Sequence, residues 1–190
     1  MDIRQFFFQY RSYTPIPLAL LIIYFSQPEP PYFWIGFIFL IAGEGIRISA
    51  VRYAGGVTRT TKVGAPSLCT AGPYAHTRNP LYIGNMLMYT GIVLIAGAPN
   101  IWLMLAVTWA FFLTQYSLII ALEEETLTKL FGRDYLIYRE NVPALIPRLK
   151  PWPNEDKRKP AALKQTLTTE RRTLQNVVLI LFFILLRLQF

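Results

Sequence analysis

The chain is short of charge. Only 16% of its 190 residues are Asp, Glu, Lys or Arg, where a soluble domain carries about 25%. That argues against a water-surrounded globule. Cysteine occurs once, at Cys69, and histidine once, at His76. One cysteine excludes an internal disulfide, and so few soft ligands exclude a cysteine–histidine metal cluster, so no metal is expected. Residues 54–80 contain no acid, and the turns SQPEPP and GAPN contain no Lys or Arg.

Apolar surface is what the chain does have. Hydrophobic residues make up 53% and aromatics 15%, with a mean hydropathy of +0.33. These values indicate a membrane protein. A span needs about 20 residues, so the length suits an all-α, polytopic membrane bundle with four to five membrane helices. The net charge is +8. In a membrane protein such charge collects on cytoplasmic loops and beside anionic lipid, so nucleic acid is not an expected partner.

The N-terminal stretch MDIRQFFFQYRSYTPIP does not read as a cleaved leader. Gln9, Arg11 and Ser12 interrupt its apolar run and no small-residue cleavage site follows. Pro15 to Phe25 is short for a span and reaches full length only by borrowing the aromatic stretch before it. The Pro-rich SQPEPPY turn then makes the first two helices a hairpin. A second span starts near Tyr32 and continues into GEGIRISAVRYAGG. Glu44 and Arg47 share a face of it. They are read either as an internal ion pair or as the polar wall of a substrate cavity.

A third span covers Leu81 to Ala96, and a fourth covers Ile101 to Leu122. Residues 1–148 form the membrane domain. Residues 149–190 form a basic linker plus a C-terminal helix, and 150–172 hold seven basic and three acidic residues suited to anionic head groups. The final apolar run, Val177 to Leu186, is short. It reads as a membrane-docking helix or a tilted crossing. The positive-inside rule places the N-terminus, the 54–80 loop with Arg59, Lys62 and Arg78, and everything after the fourth span in the cytoplasm.

Two segments then share the cytoplasmic leaflet. The first is GPYAHTRNPLYIGN. Asn79-Pro80 starts a helix with Pro in its first turn, and such an end attracts anions. His76 and Arg78 stand just before it. The second is LEEETL. Three acids ending a helix would oppose its dipole, which points to a partner seeking acceptors or negative charge. If the helix instead runs on through LTKLFG, the acids lie in mid-helix and one pairs with Lys129. Together the two segments offer anion-binding groups and carboxylates beside lipid, suited to a zwitterionic or nucleoside-bearing cofactor.

GPYAHTRNPLYIGN followed by EEETLTKLFGRDYLIYRENVPALIP resembles the isoprenylcysteine carboxyl methyltransferase and phospholipid methyltransferase family. The pattern G-x-Y-x-x-x-R-[HN]-P-x-Y-x-G is met from Gly72 to Gly84. Its companion is met by Glu123, Glu124, Leu127, Phe131, Gly132, Tyr135, Tyr138, Val142, Pro143 and Pro147. The resemblance implies an S-adenosylmethionine-dependent methyltransferase, with S-adenosylhomocysteine as product and a site at the cytoplasmic membrane boundary. It implies that His76, Arg78, Asn79 and the backbone near Leu81 and Tyr82 hold the methionine end, with Tyr74 and Pro80 also in the cofactor site. Glu124, with Glu123, would take the ribose or shape the site, and Tyr82, Phe131 and Tyr135 would line the adenine pocket. Arg78 or Arg47 would place an acceptor carboxylate, and Glu123 would take a proton from an amine acceptor.

The implied acceptor is a lipophilic or prenylated molecule, most simply an isoprenylcysteine-type carboxylate; phospholipid head-group N-methylation is the alternative. Two departures bear on the acceptor. Asn79 stands where the prenylcysteine enzymes usually carry histidine, and the apolar SLIIAL precedes the acidic pair where some carry arginine. A nicotinamide-dependent sterol-type reductase and a non-enzymatic scaffold are the other readings.

Overall fold

The computed structural model describes residues 2–55 and 63–187. Arg59 and Lys62 lie outside the described residues. Six α-helices follow in order: α1 Ile3–Tyr10, α2 Ile16–Tyr24, α3 Tyr32–Ala54, α4 Pro80–Ala96, α5 Ile101–Asn141 and α6 Leu163–Arg187, with a 3-10 turn at Gly72–Ala75. The described residues contain no strand.

Two helices, Tyr32–Ala54 and Ile101–Asn141, are long and apolar enough to cross a bilayer, and α4 is a shorter apolar helix. The first expected span is not one helix. It is broken between Arg11 and Pro15 into α1 and α2. Proline lacks the N–H that an unbroken helix would need there. The aromatic stretch forms α1. Arg4 Nη1 binds Glu125 at 3.1 Å and Thr14 Oγ1 donates to Gln115 at 2.6 Å. Ten residues on from Arg4 thus match ten back along α5, so the N-terminal segment and α5 run antiparallel. The expected hairpin of the first two spans is corrected as well. Past its break, α2 packs on α4 and α6.

The α3–α4 pair is the most intimate contact of the bundle, and glycine makes it so. A Cβ on Gly36 would sit 2.6 Å from the Gly91 carbonyl oxygen, and one on Gly43 would sit 2.6 Å from that of Gly84. Two glycines one heptad apart on each helix let the backbones touch, as small residues do between membrane helices. At the far end, Gly97 closes α4 in the left-handed region (φ 60°). Gln27 N–H donates to the Ala96 carbonyl at 2.7 Å, so the two turns without Lys or Arg meet at one end of the bundle.

The helix of the fourth span runs on past Leu122, as one of the two readings had it. α5 continues to Asn141, so Glu123, Glu124 and Glu125 are in mid-helix and do not oppose a helix end. The following residues contain no proline before Pro143, so nothing ends the helix. Gly132 alone departs from helical geometry (φ 52°, ψ −122°). Its missing Cβ permits the bend, which turns Tyr135, Tyr138 and Val142 into a small apolar cluster with Leu68 and Trp152.

Candidate functional site

The two sequence segments lock together. Past α5 the chain runs extended beside residues 76–79. Arg78 N–H donates to the Pro143 carbonyl at 2.9 Å, Arg148 N–H to His76 at 2.9 Å and Trp152 N–H to Ala75 at 2.8 Å. Thr77 Oγ1 and Asn79 Nδ2 both donate to the Ala144 carbonyl, at 2.8 and 3.1 Å. Prolines 143 and 147 suit this role, because they hold the chain extended and carry no N–H to leave unmet. His76 Nδ1 lies 2.8 Å from the Arg148 carbonyl oxygen.

Arg78 is the hub. It pairs with Glu124 at 2.5 Å, and its Nη1 donates to the carbonyls of Val142 and Arg139. Its Nε is buried with no hydrogen-bond partner among the described residues. One turn along, Tyr82 Oη donates to Glu123 Oε2 at 2.9 Å, and the Tyr82 ring stacks on Tyr116 at 4.3 Å. Glu125 faces away and binds Lys129 at 2.6 Å. The mid-helix alternative therefore holds for Glu125, while its two neighbours turn inward.

These groups wall a cavity of about 200 Å³. Tyr74, Arg78, Asn79, Pro80, Leu81, Tyr82, Glu123, Glu124 and Tyr135 all line it. Three residues given a role by resemblance do not. His76 braces the Arg148 segment instead. Phe131 packs into the Tyr135–Tyr138 cluster. Arg47 is buried among Asn85, Glu170 and Thr173, with Glu44 at 3.6 Å. Glu44 and Arg47 thus form an ion pair, and neither lines this cavity.

Other wall residues carried no role in the sequence reading: Phe8 and Arg11 from the N-terminal break, Ser67, Leu68 and Cys69, Leu127, Tyr138, and Arg158. Arg11 did carry a signal, being a lone cation between two apolar runs. Such a residue marks a functional site by default. Arg158 belongs to the stretch read as facing lipid heads, yet it turns inward. It binds Asp156 at 2.9 Å and the Leu68 carbonyl at 2.6 Å. Asp156 in turn accepts from Thr70 N–H at 2.9 Å. Partial burial raises the Asp156 carboxyl, but these donors outweigh it and hold the group below its ordinary value. Burial pushes the Cys69 thiol up to about 11 and raises the Tyr74 phenol further.

The donor set suits a nucleoside cofactor with a zwitterionic end. The orphaned Arg78 Nε and the first turn of α4 favour an anion. Glu124 offers acceptors for ribose hydroxyls, and the tyrosines offer flat walls. The cavity holds about 200 Å³, below the roughly 300–1,000 Å³ usual for small-molecule sites.

The family described as phospholipid methyltransferase matches residues 31–134. Proteins named protein-S-isoprenylcysteine O-methyltransferase are similar over 120 residues: 31% identical in Mus musculus, 32% in Rattus norvegicus and 31% in Homo sapiens. In each case 60% of this chain is aligned with 41% of the relative. The chain thus spans about two fifths of the length of these relatives. No solved structure matches it. With more than half of its 190 residues matched, including both glutamates and the Arg78–Tyr82 turn, the chain belongs to the phospholipid methyltransferase family.

Proposed function

We propose that this chain is an integral membrane methyltransferase that uses S-adenosylmethionine to methylate a lipophilic acceptor, an isoprenylcysteine-type carboxylate. One observation carries the reading. The two segments that resemble the family's motifs, about forty residues apart in sequence, wall a single cavity and are cross-tied through Arg78 and Glu124. The names of the relatives support the carboxylate acceptor. When bound, S-adenosylmethionine supplies an electrophilic methyl: the acceptor oxygen bonds to that carbon as the carbon–sulfur bond breaks, the electron pair stays on sulfur, and a carboxylate acceptor releases no proton.

The protein's own residues then bind, orient and exclude water. Arg78 and the first turn of α4 hold the anionic end. Glu124 takes the ribose and Tyr82 and Tyr135 flank the base. Tyr74 Oη, kept protonated by burial, remains a donor. A second reading has its own support. Glu123 stands in the wall with Tyr82 donating to it, and an amine acceptor needs such a base. Phospholipid head-group N-methylation is therefore the alternative.

The membrane arrangement belongs to the same proposal. α3 and α5 cross the bilayer, and α4 and the α1–α2 pair complete four crossings. Exposed Tyr24, Trp34 and Trp102 ring the end where the turns without Lys or Arg meet, as aromatic residues do at an interface. The N-terminus and the cavity face the cytoplasm. The exposed basic residues of 150–172 meet anionic head groups, and α6 docks on the membrane or crosses it at a tilt.

Calorimetry on detergent-purified protein tests the reading with S-adenosylhomocysteine and NADPH as ligands. S-adenosylhomocysteine should bind. NADPH binding alone would replace the reading with a reductase, and binding of neither would replace it with a scaffold.

A further inference from the structure

Tyr82 of α4 is clamped by α5 at two points. Its hydroxyl donates to Glu123 at 2.9 Å. Its ring lies on the Tyr116 ring at 4.3 Å, with 18° between the planes. Tyr116 and Glu123 stand about two helical turns apart, so both face α4. Tyr82 lines the cavity. Tyr116 is buried and is not among the lining residues. It touches no space that a ligand would fill, yet it backs a ring that does.

Tyr116 is fixed in its turn. The buried Phe112 ring stacks on it at 5.3 Å. Its hydroxyl accepts from Asn85 Nδ2 at 2.9 Å. Asn85 is oriented from the other side, because its Oδ1 accepts from Arg47 Nη1. Turning that amide over would set donor against donor. Arg47 Nη2 donates to Glu170 of α6 and, at 3.2 Å, to Thr173. Every link is directional. Glu170 aims the guanidinium, the guanidinium aims the amide, the amide aims the phenol, and the phenol ring sets the plane of Tyr82. Away from water such a network is stiff, since few alternative partners are at hand. The relay begins on α6, which lies beyond the residues 31–134 matched by the family.

We propose that Tyr116 and Glu170 are positioning residues for the cavity: through Asn85 and Arg47, the C-terminal helix sets the plane of the Tyr82 ring and the reach of its hydroxyl to Glu123. Both act only through Tyr82. A flat wall binds a planar ligand best when its own plane is fixed beforehand, because ordering a side chain on binding costs affinity. The C-terminal helix thereby belongs to the site without touching it. The inference rests on the methyl-transfer reading only for the identity of the ligand.

The test uses the full chain in detergent, its tyrosines labelled with carbon-13 at the ring carbon that bears the hydroxyl. S-adenosylhomocysteine is the ligand, and Tyr82→Leu assigns the Tyr82 resonance. Two variants cut the relay: Glu170→Ala at its origin, and Tyr116→Phe at the link to Asn85, which keeps the stack. Both should move the Tyr82 resonance. Those of Tyr135 and Tyr138, in the cluster beyond Gly132, should stay in place and report folding. Both variants should weaken S-adenosylhomocysteine binding about threefold to tenfold. In a Tyr82→Leu background neither should cost more than about 1.5-fold, since the ring to be positioned is gone. A Tyr82 resonance unmoved in either folded variant overturns the proposal. So does a loss of affinity equal in both backgrounds, which would make the relay a tie between helices and nothing more. If Glu170→Ala loses the Tyr135 and Tyr138 signals, Tyr116→Phe decides. Failure of wild type to bind S-adenosylhomocysteine sinks the methyltransferase reading instead, while the Tyr82 resonance still decides the relay.

Discussion

Arg47 of α3 donates to Glu170 of α6 across 123 positions of sequence, and Glu170 is fully buried. The same guanidinium donates to Asn85 of α4. Asn85 Nδ2 donates in turn to Tyr116 of α5 at 2.9 Å, whose ring stacks on Tyr82 in the cavity wall. One arginine therefore links four helices. Breaking a buried pair from one side usually costs about 3–5 kcal/mol. Glu170→Ala should cost about 3 kcal/mol, the low end, because Glu44 remains 3.6 Å from Arg47. Thermal unfolding in detergent reads this. Replacing both Arg47 and Glu170 with Met should recover only part of the loss, because Glu44, 3.6 Å from Arg47, then loses that cation.

The α3–α4 contact makes a contrasting pair of predictions. Gly91→Ala would place a Cβ 2.6 Å from the Gly36 carbonyl oxygen and from the Leu40 nitrogen, both backbone atoms. The helices must separate, at a cost of about 1–3 kcal/mol or more, as in other overpacked cores. Gly45 lies in the middle of α3 with nothing within 4 Å of its would-be Cβ. Gly45→Ala should stabilise by up to about 1 kcal/mol through helix propensity. Midpoints that move alike in the two variants would refute the close-contact account.

The cofactor assignment predicts a third pattern. Arg78→Ala and Glu124→Gln should each weaken S-adenosylhomocysteine binding about tenfold to a hundredfold, the equivalent of one lost charge-assisted hydrogen bond. Stability should fall by only about 1–3 kcal/mol: in Arg78→Ala the carbonyls of Val142 and Arg139 lose a donor, and in Glu124→Gln the partly exposed ion pair is lost while those bonds stay. Calorimetry beside a melting curve separates the effects. Unchanged affinity in both variants would remove these residues from the cofactor half.

How much of this was written in the sequence depends on how each feature is encoded. The Arg78–Tyr82 turn and the Glu123–Glu124 pair were legible because a Pro-started helix, two acids and fixed spacings are local signals. Their meeting was also foreseeable, since two antiparallel helices of similar length return the chain to one leaflet. The continuation of α5 was left open between two readings: negative charge after an apolar run looks like an exit from the membrane, but only proline or a capping residue ends a helix. The break at Arg11–Pro15 was visible as Pro15 and yet had no partner to give it meaning until α5 supplied the register. Glu170 left no trace at all. One of three acids in a basic stretch looks solvated, and its burial depends on a helix that packs back from more than a hundred residues away. His76 drew attention as the only histidine, but it braces a neighbouring strand of chain.

Cys69 gives the last prediction. It lines the cavity, and burial lifts its thiol to about 11. The thiolate is the reactive form, so at pH 8 only about one thiol in a thousand is ionised. Maleimide labelling of folded protein should therefore be slow at pH 8 and should rise about tenfold per pH unit until near pH 11. The sign follows from the raised value: a depressed thiol would already react fully at pH 8 and show a flat profile. Denatured protein supplies the reference, with its plateau shifted down toward pH 8.5. S-adenosylhomocysteine, occupying the same cavity, should slow labelling of the folded protein at every pH, and equal rates with and without it would place the ligand away from Cys69. Mass spectrometry of the labelled protein reads all three comparisons at a single site, because the chain has no other cysteine.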